Sequence, residues 1–166
     1  MSHVEFTDNR VQVKAALNDA VLQWLEEASS ELESQTKRNS RPIKYGGYDV
    51  KGSWSHIVDE SKKEARVGSR LEAAYWEELG TGEYALNKDG RKGWWVYVEG
   101  SSTHPSRQPV RTKEEALQTA AFLRSQGLDA HATNGTEANR PLHRAFTANR
   151  AKITRRLEQI LKGALG

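Results

Sequence analysis

Five histidines and one pair of adjacent glutamates are the residues of this chain whose types could do chemistry. A hydrolytic metal centre needs histidines or carboxylates that converge, commonly four residues apart on one helix face. His3, His56, His104, His131 and His143 show no such pairing. Glu77 and Glu78 stand side by side, so on a helix they point about 100° apart and cannot act on one bond as acid and base. They read as solvated or interface-facing carboxylates. The chain has no cysteine, which excludes thiolate ligands, a sulfur nucleophile and disulfides. The sequence therefore predicts no catalytic residue, no cofactor and no metal, in a protein that is not an enzyme.

Two basic stretches remain. Gly90-Arg91-Lys92-Gly93 could meet phosphate, but it lacks the spacing and strand-to-helix setting of a phosphate loop and reads better as a basic hairpin tip. Between Arg140 and Lys162 seven bases stand against one acid, a net of +6. Such a helix could neutralise phosphates or meet acidic protein. Between Asp8 and Glu33 six acids stand against two bases, a net of -4, so opposite faces of neighbouring subunits could complement each other without nucleic acid. Protein contact is the preferred reading, with Arg150, Arg155 and Arg156 as interface candidates beside Arg91, Lys92, Trp94 and Trp95.

The elements that must position these groups follow from periodicity. Val13, Leu17, Ala20, Val21, Trp24, Ala28 and Leu32 recur at helical spacing, which predicts a first helix over about 8–36, capped by Thr7 or Asp8 and broken by Lys37 to Pro42. Tyr45 to Asp49 reads as loop, and Trp54, Ile57 and Val58 as helix or strand. Glu64 to Ser69 alternates as a strand and leads into a helix over 71–79. Trp94 to Val98 is the strongest strand signal. Thr112 caps a helix with Glu115 at the capping-box position and Gly127 at its end, and Leu128 to Thr133 returns as a strand. The last helix opens at Pro141, carries Leu142, Ala145, Phe146, Ile153 and Leu157, and ends at Gly163.

A length of 166 residues fits one domain, able to bury roughly two thirds of its unfolded surface. Hydrophobic content is 36% and mean hydropathy -0.80, polar for this size, which suggests exposed loops or a core partly completed by partner subunits. The net charge of +3 is too mild to indicate nucleic acid by itself. No basic leader or membrane-length apolar run is read, so the expectation is a soluble chain, intracellular when made, with no membrane partner.

Several motifs stand in a fixed order. Ala65-Arg66-Val67-Gly68 is followed by Tyr75-Trp76-Glu77-Glu78-Leu79-Gly80-Thr81-Gly82, then Trp94-Trp95-Val96-Tyr97, then Arg140-Pro141-Leu142-His143-Arg144-Ala145-Phe146 at the opening of the last helix. This order resembles the siphophage tail-component family typified by the gene-ten product of a lambdoid coliphage, whose members are head-tail joining, neck or tail-completion proteins. Their patterns read A-x-V-G, Y-x-E-x-G-T, W-V-Y and a P-F-L-R-P-A-like run. The likeness covers 8–98 and 138–165. The family's T-G-x-L-x-x-S segment is met only loosely by Val50 to Ser55, and Leu142-His143 replaces its Phe-Leu pair.

The resemblance implies that Tyr75, Glu78, Gly80, Thr81, Gly82, Pro141 and Phe146 are motif and turn positions. It implies a virion protein of a tailed phage or prophage that forms a homo-oligomeric ring, contacts head-connector and tail-tube or tail-terminator proteins, and meets DNA only along a channel. A small basic nucleic-acid-binding module is the alternative. The expected fold is α+β: a single domain over 1–166, long first and last helices packed on a small antiparallel sheet, and a strand-helix-strand insert over 99–137. In it Leu17, Val21 and Trp24 pack with Phe146, Ile153 and Leu157, while the loops Leu86 to Gly93 and Glu99 to Pro109 reach neighbours.

Overall fold

Two long helices carry the architecture of the computed structural model, which describes residues 10–42, 44–45, 48–101 and 109–165. Helix α1 spans Arg10–Asn39 and α4 spans Pro141–Leu165. Their antiparallel register is fixed by cross-helix bonds: Trp24 Nε1 donates to the Ile153 carbonyl at 2.9 Å, and Asn39 Nδ2 donates to the Pro141 carbonyl at 3.1 Å. The chain is α+β: the long first and last helices pack on each other, and small antiparallel sheets accompany them, the β-hairpin after α1 lying against α1. Helix α1 runs three residues beyond the expected end, because Lys37 pairs back to Glu33 and Gln35 bonds Asn39, both four residues apart on one face. Ser40 stops it, buried beneath Trp54, whose indole N–H donates to Ser40 Oγ at 2.8 Å. The proposed caps Thr7 and Asp8 lie outside the described residues. At the other end, α4 passes through Gly163 to Leu165 instead of stopping there.

Among the described residues the antiparallel pairing is shared among three two-stranded ladders. Strands β1 (Lys44–Tyr45) and β2 (Tyr48–Asp49) pair where a loop was expected. Strands β3 (Ser55–Asp59) and β4 (Glu64–Gly68) form a hairpin packed on α1, with His56, Val58, Ala65 and Val67 half-buried and Ile57 and Arg66 exposed, as alternation requires. Trp54 therefore stands just before a strand. Helix α2 (Glu72–Leu79) leads to a 3₁₀ turn at Gly82–Tyr84.

The expected strand-helix-strand unit is present. Strands β5 (Trp95–Val98) and β6 (Ala130–Thr133) pair antiparallel, and α3 (Lys113–Ser125) crosses one face, so that Val96, Ala116, Ala120 and Ala130 make a small core. The capping box at Thr112 and Glu115 is closed in both directions. A second core gathers Val50, Trp54 and Ala74.

One packing expectation is corrected. Trp24 does meet Ile153, but Phe146 is 49% exposed. Small Ala145, one residue earlier, is the one that turns inward, and Asn149 follows it one turn later, its amide bonded to the Ala145 carbonyl.

Candidate functional site

The motif stretch Tyr75 to Gly82 is a structural junction. Glu77 is 4% exposed: its Oε1 accepts from the Arg41 backbone N–H at 2.6 Å and Asn139 Nδ2 at 2.7 Å, and its carbonyl accepts from Asn139 N. Its Oε2 is buried with no hydrogen-bond partner among the described residues. Glu78 accepts from the backbone N–H groups of Leu142 at 2.9 Å and His143 at 3.1 Å, satisfying two open donors in the first turn of α4. The expectation of solvated or interface-facing carboxylates is thereby corrected. Their divergence on α2 is what lets one side chain hold the end of α1 and the other cap α4.

Gly80, Thr81 and Gly82 then knit the body to the base of the insert. Thr81 N donates to the Thr136 carbonyl and Thr136 N to Thr81 Oγ1, at 2.9 and 3.0 Å. Glu83 N donates to the Asn134 carbonyl, and Asn134 Nδ2 returns to Glu83 Oε2. A Cβ on Gly82 would fall on the Asn134 carbonyl oxygen, and one on Gly135 on that of Thr81; Gly82 also holds φ +59°. Only glycine fits at both. Of the remaining motif positions, Pro141 is fully buried, Tyr75 is exposed with its hydroxyl accepting from Asn87, and Phe146 faces solvent.

The interface candidates fall in two places. Trp95 is 7% exposed with the Arg91 guanidinium 5.2 Å from its ring, and half-buried Trp94 packs on the insert core with Lys113 5.6 Å above it. Trp94 thus serves the insert core, Trp95 on the opposite face of β5 lies against the Gly82 turn, and Lys92 stays exposed. On α4, Arg156 makes a two-bonded contact with Glu27 at 2.7 and 3.0 Å, and Lys152 meets Glu31 at 3.1 Å. The acidic first helix and basic last helix therefore complement each other within one chain. Hydrogen bonding from Arg156, with a smaller share from Gln23, holds the Glu27 carboxyl down at about 2. Arg150 and Arg155 are exposed and make no ion pair among the described residues. A cavity of about 390 Å³ between the two helices is lined by Trp24, Ala28 and Ile153, with Arg155 at its rim.

Sequence reasoning passed over His56. From β3 its Nε2 lies 3.1 Å from Glu26 Oε1, and its Nδ1 sits closer still to Glu33 Oε2. The two carboxylates, first Glu26 and then Glu33, push the imidazole's proton affinity up, while Lys37 and then His56 hold Glu33 down. Glu26 and Glu33 are seven apart, hence on one face of α1; that spacing was readable, but its partner strand was not. Because they approach opposite ring nitrogens they diverge and cannot share a metal ion, and no group of three or more ligands for a metal exists among the described residues.

No family model, curated protein or solved structure matches this chain. What the surface offers is then read from its chemistry. Val110, Leu117, Phe122 and Leu128 are 57, 46, 64 and 44% exposed, all on or beside α3, and Val11 at the start of α1 is 80% exposed. No described helix is long and apolar enough to cross a membrane.

Proposed function

We propose that this chain is a structural virion protein of a tailed phage or prophage, assembling as a ring at the joint between head connector and tail. The observation that carries the reading is the mismatch between core and surface. Six of the eleven buried hydrophobic residues are alanine, while eleven large hydrophobic residues of the described chain are exposed. Four of them, Val110, Leu117, Phe122 and Leu128, gather on or beside α3, where a protein neighbour would cover them. The motif order from which the family resemblance was read is the second support for this reading.

The partners proposed are further copies of the chain, a connector protein, and a tail-tube or tail-terminator protein. DNA is at most a channel contact. Because part of the charge on α1 and α4 is matched internally, subunit contacts rest on the apolar side chains, and charge sets register. Co-sedimentation with purified connector or tail-tube protein across a salt series tests this. Binding at low salt to either partner is expected. Binding to neither, together with tight duplex-DNA binding whose steep salt slope is lost on neutralising Arg150 and Arg155, replaces this reading with a nucleic-acid-binding module.

A further inference from the structure

A neutral imidazole has one N–H donor and one acceptor nitrogen, whereas a carboxylate only accepts. His56 presents both ring nitrogens to carboxylates, Glu33 Oε2 on Nδ1 and Glu26 Oε1 on Nε2. Both contacts are hydrogen bonds only when the ring carries two protons. With one proton, one carboxylate faces a nitrogen lone pair. The two contacts tie β3 of the hairpin to α1 across 23 and 30 residues of chain.

We propose that His56 is a proton-operated latch which holds the β3–β4 hairpin on α1 when doubly protonated and loosens it when it loses a proton. Other groups around it do not substitute for that proton. On α1, Lys37 is the third charge nearby and already pairs with Glu33. On β4 the residue opposite His56 is Val67; the other charges of the two strands pair elsewhere, Asp59 with Lys62 and Glu64 with Arg66, and Glu60 and Lys63 are exposed in the turn. The sign follows from the raised proton affinity: the hold is fully present below the ordinary histidine value of 6.5 and fades as pH rises through the elevated value. Opening would uncover the half-buried inner face of Val58, Ala65 and Val67, so the latch sets how much apolar surface the body presents.

Hydrogen exchange on the whole chain tests this, with protection factors of the hairpin amides referred to those of β5–β6. Between pH 6 and 9 hairpin protection should fall about tenfold, while β5–β6 protection stays level. In His56→Gln the hairpin should show the low value at every pH. If that variant does not fold, the ring signals of His56 in the unaltered protein decide: loss of the proton above 6.5, moved back toward 6.5 in Glu26→Gln, supports the latch. Proton loss at or below 6.5, hairpin protection flat across the range, or an unchanged pH response in His56→Gln overturns it.

Discussion

Arg156 reaches across to α1 with two nitrogens on the two oxygens of Glu27, a geometry that fixes the carboxylate as well as attracting it. We predict that Arg156→Ala returns the Glu27 carboxyl from about 2 toward its ordinary 4.5, read by carboxyl carbon shifts in an acid titration. Because the folded-state value is the lower one, the pair's contribution is present above 4.5 and disappears as pH falls toward 2. Exposure keeps the effect on stability small. Glu78 acts on backbone donors, so Glu78→Ala should cost about 0.5–2 kcal/mol in denaturant titration, the range of a lost N-terminal cap, with fraying confined to the first turn of α4. Trp54, 4% exposed and bonded to Ser40, should cost about 3–5 kcal/mol as Trp54→Ala. At this scale the sequence was informative about residue type and silent about partner. Glu77 and Glu78 could be placed on a helix, but Asn139 and Leu142, more than sixty positions away, decide what they do.

Among the elements, the glycines separate junction from filler. Gly82 is pressed against residues 134 and 135 at positive φ, whereas Gly163 lies inside α4 with nothing within 4 Å of an added Cβ. We expect Gly82→Ala to destabilise by more than the roughly 1–3 kcal/mol of backbone strain alone, because the backbone across the junction must also move. Gly163→Ala should stabilise by up to about 1 kcal/mol, less whatever fraying the helix end permits. Thermal melts of the two variants side by side check the pair, and a mild Gly82→Ala would mean that the junction is loose. Capping and alternation made α3, β4 and β5 legible from the sequence. The β1–β2 ladder and the last turn of α1 were not: the ladder is two residues a side, too short to leave a periodic signal, and in α1 the Lys37–Glu33 and Gln35–Asn39 pairs outweighed the breaker signals that follow.

For the whole molecule, the question is whether apolar surface left open by the fold is used. Leu117 and Phe122 contribute little to the insert core, which Val96 and three alanines fill. Replacing both with Ser should leave the melting temperature within the small shift of surface substitutions while reducing sedimentation with a connector or tail-tube partner. An equal loss of stability would place those side chains in the core instead. The α+β class and the long terminal helices were visible in periodicity. What periodicity could not carry was the division of charge, because it does not say whether an acidic and a basic helix meet within a chain or between chains. Their pairing has a kinetic side. The bonds that align α1 with α4 span 102 to 129 residues of sequence, whereas the β3–β4 hairpin closes within a few. Loop closure of that length is slow and unrewarded until late. On the ribosome α1 is made about a hundred residues ahead of α4, so the face of α1 that meets α4 waits, uncovered by its partner, while the chain between them is synthesised, an interval in which exposed apolar surface favours aggregation over folding.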